Sequence, residues 1–224
     1  MSKKFAFPSF VYAVTQDLRD TSMLLAQAEA ALQGGVRILQ YRDKLSEMVD
    51  KLYRGRGLKA LCLKYNAQLI INDDIVLALA TNADGIHLGA DDGSIRDARR
   101  LLPEHSIIGA SCYNSLTLAQ QAIADGASYI AFGACFDSPT KPSAHRIYLD
   151  QLADFRLALE SETPICGIGG ITLGNVNQLY RSVNAVALIS ELFGSSAQPK
   201  APEAVRLKVQ HFLAETAIVS HTCI

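Results

Sequence analysis

Along this chain short apolar runs alternate with longer stretches in which apolar residues recur every three or four positions. A brief apolar run bounded by turn residues reads as a buried strand, and the longer recurrence reads as a helix with one covered face. VYAVTQ from Val11 is the first such strand, and SMLLAQAEAALQGG the first helix, ended by Gly34 and Gly35. RILQYR and a helix from Ser46 to about Lys64 come next. LIIND with a short helix through IVLALATN follows, then GIHLG with a helix over SIRDARRLL. The second half repeats the scheme: SIIGAS and SLTLAQQAIADG, YIAFG and YLDQLADFRLALE, ICGIGG and GNVNQLYRS, then AVALIS and a closing helix from about Pro202 to Ala217.

The strand segments are near-continuous apolar runs, the pattern of strands buried on both faces beneath covering helices. Eight strand-plus-helix units in 224 residues, with no long linker, predict an α/β fold. The expected architecture is a (β/α)8 TIM barrel, a single domain over residues 1–224, with 218–224 as a loose tail. Closure also accounts for the lack of a polar edge strand. An open doubly wound sheet is the competing architecture, but no GxGxxG follows the first strand.

Composition narrows the partners. With 49% hydrophobic and 19% charged residues the chain can bury a large core. A net charge of -1 with scattered Lys and Arg provides no field for nucleic acid. No uncharged apolar run reaches the roughly 18 residues of a membrane span, so no membrane association is expected. The start MSKKFAFPSF lacks a sustained apolar segment and a small-residue cleavage site. The five cysteines, Cys62, Cys112, Cys135, Cys166 and Cys223, form no CxxC pair. These features together predict a cytoplasmic protein. Cys112 and Cys166 read as core thiols.

The active site of such a barrel lies at the C-terminal ends of its strands. Polar residues and glycines gather at those positions here. The second strand ends in Gln40-Tyr41-Arg42-Asp43-Lys44, the third in Asn72-Asp73-Asp74, and the fourth leads through His87 to Ala90-Asp91-Asp92. The fifth ends at Ser111 and the sixth runs into Asp137-Ser138-Pro139-Thr140-Lys141. The last two end in Gly169-Gly170 and Ile189-Ser190. Gln40, Arg42 and Lys44 alternate, so an extended backbone points them to one face. Arg and Lys suit a diphosphate, and Gln suits the edge of a heterocycle. Asp73 and Asp92 supply hard oxygen ligands for Mg2+, which also takes phosphate oxygens. Gly169-Gly170 and Ile189-Ser190 stand where barrels of this kind commonly hold a phosphate. An Asp after a strand is also a frequent helix N-cap, and His87 is read as a satisfied buried histidine.

Taken in order, VYAVTQD, GGVRILQYRDK, LIINDDIVLAL, ADGIHLGADD, IIGAS, GASYIAFGACFDSPTK, CGIGGIT and AVALIS resemble the thiamine-phosphate synthase family from Val11 to about Ser190. The resemblance implies an enzyme, a transferase that condenses hydroxymethylpyrimidine diphosphate with thiazole phosphate. The products would be thiamine phosphate and pyrophosphate, with Mg2+ as cofactor. It implies that Gln40, Tyr41, Arg42, Asp43, Lys44, Asn72, Ser111 and Lys141 contact the pyrimidine diphosphate. Arg42, Lys44, Ser111 and Lys141 would serve catalysis, and Asp73 and Asp92 would hold the metal. Ser138, Pro139, Thr140, Gly170, Ile189 and Ser190 would take the thiazole phosphate.

Three positions depart from the family pattern: Ala90-Asp91-Asp92 for Gln-Glu-Asp, Ser138-Pro139-Thr140-Lys141 for Thr-x-Thr-Lys, and Tyr113 for a histidine. Pro139 removes a backbone donor from that loop. Two other functions share the fold, a thiazole tautomerase-like relative and a silent phosphate-ligand sensor. QxRxK, Asp73 and Asp92 speak against the tautomerase, which needs neither diphosphate nor metal. The expected partners are therefore small-molecule substrates, and the sequence leaves open whether the chain forms a homo-oligomer.

Overall fold

The computed structural model describes residues 4–137, 146–159 and 162–220. Eight parallel strands close into a barrel in chain order: β1 (Val11–Val14), β2 (Ile38–Tyr41), β3 (Gln68–Asn72), β4 (Gly85–Leu88), β5 (Ile107–Tyr113), β6 (Tyr129–Gly133), β7 (Ile165–Ile168) and β8 (Ala185–Leu188). Closure is made where Val11, Tyr12 and Ala13 pair with Val186, Ala187 and Leu188. The expected (β/α)8 barrel is the fold observed, and the open sheet is excluded.

Alternation sorts each strand into two buried faces. Tyr12, Val14, Ile38, Ile70, Ile107, Tyr129, Ala131, Cys166, Ala185 and Ala187 fill the barrel. Their neighbours, such as Val11, Leu39, Tyr41, Leu69, Ile71 and Ile86, pack outward with the helices. Two tyrosines take up much of the interior, and alanines elsewhere in that layer make the room. Phe5 and Phe7 stop the N-terminal end, their rings 5.7 and 5.0 Å from that of Tyr129.

The covering helices are α1 (Thr21–Gly34), α2 (Met48–Lys64), α3 (Ile75–Ala80), α4 (Ile95–Leu101), α5 (Leu116–Ala124), α6 (Leu149–Ala158), α7 (Ser190–Phe193) and α8 (Pro202–Ser220). Local chemistry sets their ends. Asp20 caps α1 by accepting from the Met23 amide at 3.1 Å, and Gly35, at φ 115°, turns the chain out of it. α8 lies directly against α1, since a Cβ on Gly34 would meet the Arg206 carbonyl and Val209 at 2.8 Å.

Three expectations change. The stretch GNVNQLYRS, read as a helix, forms one 3-10 turn, Val176–Leu179. The Asn175 side chain there accepts from the Thr172 amide at 2.8 Å and donates to the Gly170 carbonyl at 3.0 Å, a local arrangement that competes with a helix. α7 was not anticipated after β8. α8 continues past Ala217, so 218–220 extend the helix instead of forming a tail, and 221–224 lie outside the described residues. Cys62, Cys112, Cys135 and Cys166 are buried free thiols, as a core reading requires. Among the described residues no helix is long and apolar enough to cross a membrane.

Candidate active site

The end of β2 is extended, and its side chains part by parity. Gln40 enters the barrel and donates to the Tyr12 hydroxyl at 2.8 Å. Arg42 and Lys44 continue on that side, held by the segment after β1. Thr15 Oγ1 brackets the Arg42 backbone, accepting from its amide at 2.9 Å and donating to its carbonyl at 3.0 Å. Asp17 receives the Arg42 guanidinium at 2.6 Å and the Lys44 amide at 2.8 Å.

Tyr41 and Asp43 correct the expectation that the whole segment faces a ligand. They turn outward, where the Tyr41 hydroxyl and Arg54 Nη1 both donate to Asp43 Oδ2 at 2.9 Å. The other Asp43 oxygen accepts from the Leu45 and Ser46 amides at 3.0 and 2.9 Å. The Asp43 and Arg54 side chains are only 4% and 6% exposed, so this carboxylate shapes the loop and is not free for a substrate.

Beyond β3, Asp73 adopts φ 63°, a left-handed conformation that few residues other than Gly, Asn and Asp accept. Its carboxylate receives the Lys44 ammonium and the Asn72 amide. The Asp92 carboxyl comes within hydrogen-bonding reach of it. Burial raises the Asp92 pKa above the usual carboxylate range, and the negative charge of Asp73 adds to the rise. Gly89 makes the approach possible, for a Cβ there would lie 2.2 Å from Asp92 Oδ2. Neither acid is a cap: Asp74 caps α3 through the Leu77 amide at 2.8 Å, and Ser94 caps α4. Among the described residues no three His, Cys, Asp or Glu side chains cluster as a metal cage. The donor set is instead two hard carboxylates open to the mouth. That suits Mg2+, which keeps water and takes substrate phosphate for its remaining positions.

Under these groups lies His87. Its Nε2 is 2.9 Å from Ser111 Oγ, and its Nδ1 is 2.9 Å from the Tyr129 hydroxyl. Burial drives its pKa down to about 4, so the ring is neutral at ordinary pH. It is the satisfied histidine the sequence suggested.

Across the mouth, Gly169 and Gly170 follow β7 with φ 96° and 64°. A Cβ on Gly170 would meet the carbonyls of Phe136 and Asp137 at 2.5 Å, so the segment after β6 rests on bare backbone. Asp137 and Arg146 form an ion pair at 3.0 Å. Ser138, Pro139, Thr140 and Lys141 lie outside the described residues. Ile189 and the exposed Ser190 close this side at the start of α7.

A cavity of about 380 Å³ lies between the loop after β2 and the start of α3, touching Lys44, Asn72 and Asp73 on one side and Tyr41, Asp43 and Leu77 on the other. A larger one, about 1000 Å³, opens at the opposite end of the barrel around Lys59, Asp84, Arg99 and Ser128. Its lysines and its arginine are engaged in structure. Lys59 pairs with Asp84 at 2.8 Å, and Arg99 donates to the Ser106 and Gly126 carbonyls at 2.7 and 2.8 Å. The described residues of the sequence-predicted site lie at the mouth, and none of them lines the larger cavity.

Thr15, Asp17 and Gly89 belong to this site, and sequence reading passed over them. The signal was present just past the first strand, where Thr15 and Asp17 alternate as Gln40 and Arg42 do.

A closed barrel with cations, paired carboxylates and glycine turns at one end is that of an enzyme handling phosphorylated small molecules. Comparison with known proteins makes the class specific. The chain belongs to the family described as thiamine monophosphate synthase, whose model matches residues 11–192. It is 46% identical over 188 residues to the thiamine-phosphate synthase of Thiobacillus denitrificans, covering 84% of this chain and 88% of that one. With the thiamine-phosphate synthase of Methylobacillus flagellatus it shares 48% over 184 residues, 82% of this chain and 87% of the other. Among solved structures it is similar to a thiamine phosphate pyrophosphorylase from Pyrococcus furiosus, with a TM-score of 0.80, 29% identity and coverage of 93% and 96%.

Proposed function

We propose that this chain is a transferase of thiamine biosynthesis that joins hydroxymethylpyrimidine diphosphate to thiazole phosphate, forming thiamine phosphate and releasing pyrophosphate. One observation carries the reading: Lys44, Asp73 and Asp92 meet on one side of the mouth, while Gly169, Gly170 and Ser190 stand on the other. That placement supports a reading with two phosphorylated ligands, one on each side.

The thiazole nitrogen attacks the pyrimidine methylene, and the bond to the diphosphate oxygen breaks, taking its electron pair with the leaving pyrophosphate. The protein's work is to hold both rings and to meet the charge that develops. Arg42, Lys44 and Lys141 face the diphosphate, with Ser111 donating a hydrogen bond to it. Gln40 and Asn72 hold the pyrimidine edge. Ser138, Pro139, Thr140, Gly170, Ile189 and Ser190 surround the thiazole phosphate. Asp73 and Asp92 are the residues that would hold Mg2+, which when bound supplies positive charge to the diphosphate oxygens. Lys44, paired with Asp73 in this structure, would then be released towards the diphosphate. Four buried free thiols suit a reducing compartment, and the cytoplasm is the proposed location.

The test is to mix both substrates with Mg2+ and follow pyrophosphate and thiamine phosphate. Both products should form. Binding of the ligands without turnover would identify a sensor, and indifference to the pyrimidine a tautomerase. Asp73→Ala should cost roughly a hundredfold or more in turnover with unchanged circular dichroism. Turnover at the wild-type rate removes Asp73 from the site.

A further inference from the structure

We infer that a one-way chain of hydrogen bonds crosses the barrel interior from Gln40 through Tyr12, Tyr129 and His87 to Ser111, fixing Ser111 as a proton donor towards the mouth. Tyr12, Tyr129 and His87 are thereby positioning residues for the site above them.

Four successive contacts build the chain. Gln40 Nε2 lies 2.8 Å from the Tyr12 oxygen, and the two tyrosine oxygens are 2.8 Å apart. Tyr129 then reaches His87 Nδ1 at 2.9 Å, and His87 Nε2 reaches Ser111 Oγ at 2.9 Å. Five different strands supply these groups. All but Ser111 are buried, and no other hydrogen-bond partner of either tyrosine hydroxyl is present among the described residues. The fold also reserves space for the link. A Cβ on Gly109 would lie 2.1 Å from Tyr129 Cζ, 2.3 Å from its oxygen and 2.6 Å from His87 Nδ1. The two rings lie nearly parallel over that bare position, 24° apart.

Counting protons sets the direction. An amide nitrogen only donates, so the Tyr12 oxygen accepts from Gln40 and its own proton must go to Tyr129. The Tyr129 proton then goes to His87 Nδ1, which has to be bare. The ring proton therefore sits on Nε2 and is donated to Ser111 Oγ. The serine proton has no place left inside the chain and points to the mouth. Running the chain backwards would require the Gln40 amide to turn over and present its oxygen to Tyr12, and its mark would be a proton on His87 Nδ1. A doubly protonated ring would leave one tyrosine proton without an acceptor in the barrel, which is costly. The same count leaves the Gln40 amide oxygen as the acceptor available to a ligand. Its kinetic consequence rests on the proposed function, because a fixed donor at Ser111 favours the charge on departing pyrophosphate.

The decisive measurement is the ¹⁵N spectrum of the histidine rings in the intact protein, with His87 assigned through His87→Gln. The expected result is an unprotonated Nδ1 and a protonated Nε2, with or without substrates. A proton on Nδ1 overturns the inference, whatever the chain catalyses. Kinetics give a second readout. Tyr129→Phe keeps the ring and removes the link, and should lower kcat on the order of tenfold, the effect of one hydrogen bond. In a Ser111→Ala background the same change should have no further effect. If the two effects multiply, Tyr129 does not act through Ser111. A chain with no synthase activity but the expected tautomer would refute the proposed function and leave the hydrogen-bond chain standing.

Discussion

Asp92 reaches Asp73 only because Gly89 has no side chain. A methyl group at Gly89 would overlap Asp92 Oδ2, so Gly89→Ala must displace the carboxylate. The variant should fold and bind Mg2+ on the order of tenfold more weakly, as seen by titration in the presence of pyrophosphate. Unchanged metal affinity would detach Asp92 from the metal role. His87 makes a second residue-scale prediction. Its ordinary pKa is 6.5 and burial lowers it to about 4. As pH falls below 6.5 the unfolded chain takes up a proton that the folded chain refuses until about pH 4, so stability drains away across that window. The full contribution is about 3 kcal/mol. His87→Gln should therefore lose less stability than the wild type when urea midpoints are compared at pH 7 and pH 4.5. An equal loss in both proteins would show that His87 does not titrate this way.

At the scale of elements, the ends of two adjacent strands work as one unit. β1 and β2 pair in register, with Ala13 beside Leu39 and Val14 beside Gln40. The next residues then meet: Thr15 grips the Arg42 backbone and Asp17 ties both Arg42 and Lys44. Asp17→Ala leaves the strands paired but frees the guanidinium. The expected result is a KM for the pyrimidine diphosphate raised roughly tenfold, with a melting temperature within a few degrees of the wild type. If KM does not move, Arg42 is positioned without Asp17. The other face of β2 has a different task. Tyr41, Asp43 and Arg54 join the loop after β2 to α2, and Arg54 also donates to the Leu18 and Arg19 carbonyls at 2.8 and 2.7 Å. One strand end thus serves ligand on one face and loop structure on the other.

Across the whole molecule, the barrel closes at the β8–β1 seam and α8 packs beside it against α1. That packing depends on Gly34, where any side chain would meet Arg206 and Val209. Gly34→Val should push the helices apart and destabilise the fold by about 1–3 kcal/mol, measured by thermal denaturation. Turnover below the transition should stay unchanged, since the mouth lies elsewhere. A melting temperature equal to the wild type would show that α8 docks without this contact. Closure also produces the site itself. Residues from the first strand to the last share one mouth because a closed barrel has a single ring of strand ends.

What the sequence determined by itself was whatever depends on near neighbours. Apolar runs and helical recurrence are local properties, so the eight strands and their order were legible. Parity along an extended segment was legible too, and it places Gln40, Arg42 and Lys44 together, whereas the outward turn of Tyr41 and Asp43, expected at the ligand, was decided by their contacts with Arg54. The shape of GNVNQLYRS was misread because Asn175 bonds to its neighbours in a way that apolar spacing does not show. The tertiary structure alone decided which distant groups touch. Tyr12 and Tyr129 stand 117 positions apart and share a hydrogen bond, while Asp17 and Arg42 are joined across 25. Such contacts follow from the register and radius of the closed barrel, which no single segment of chain contains.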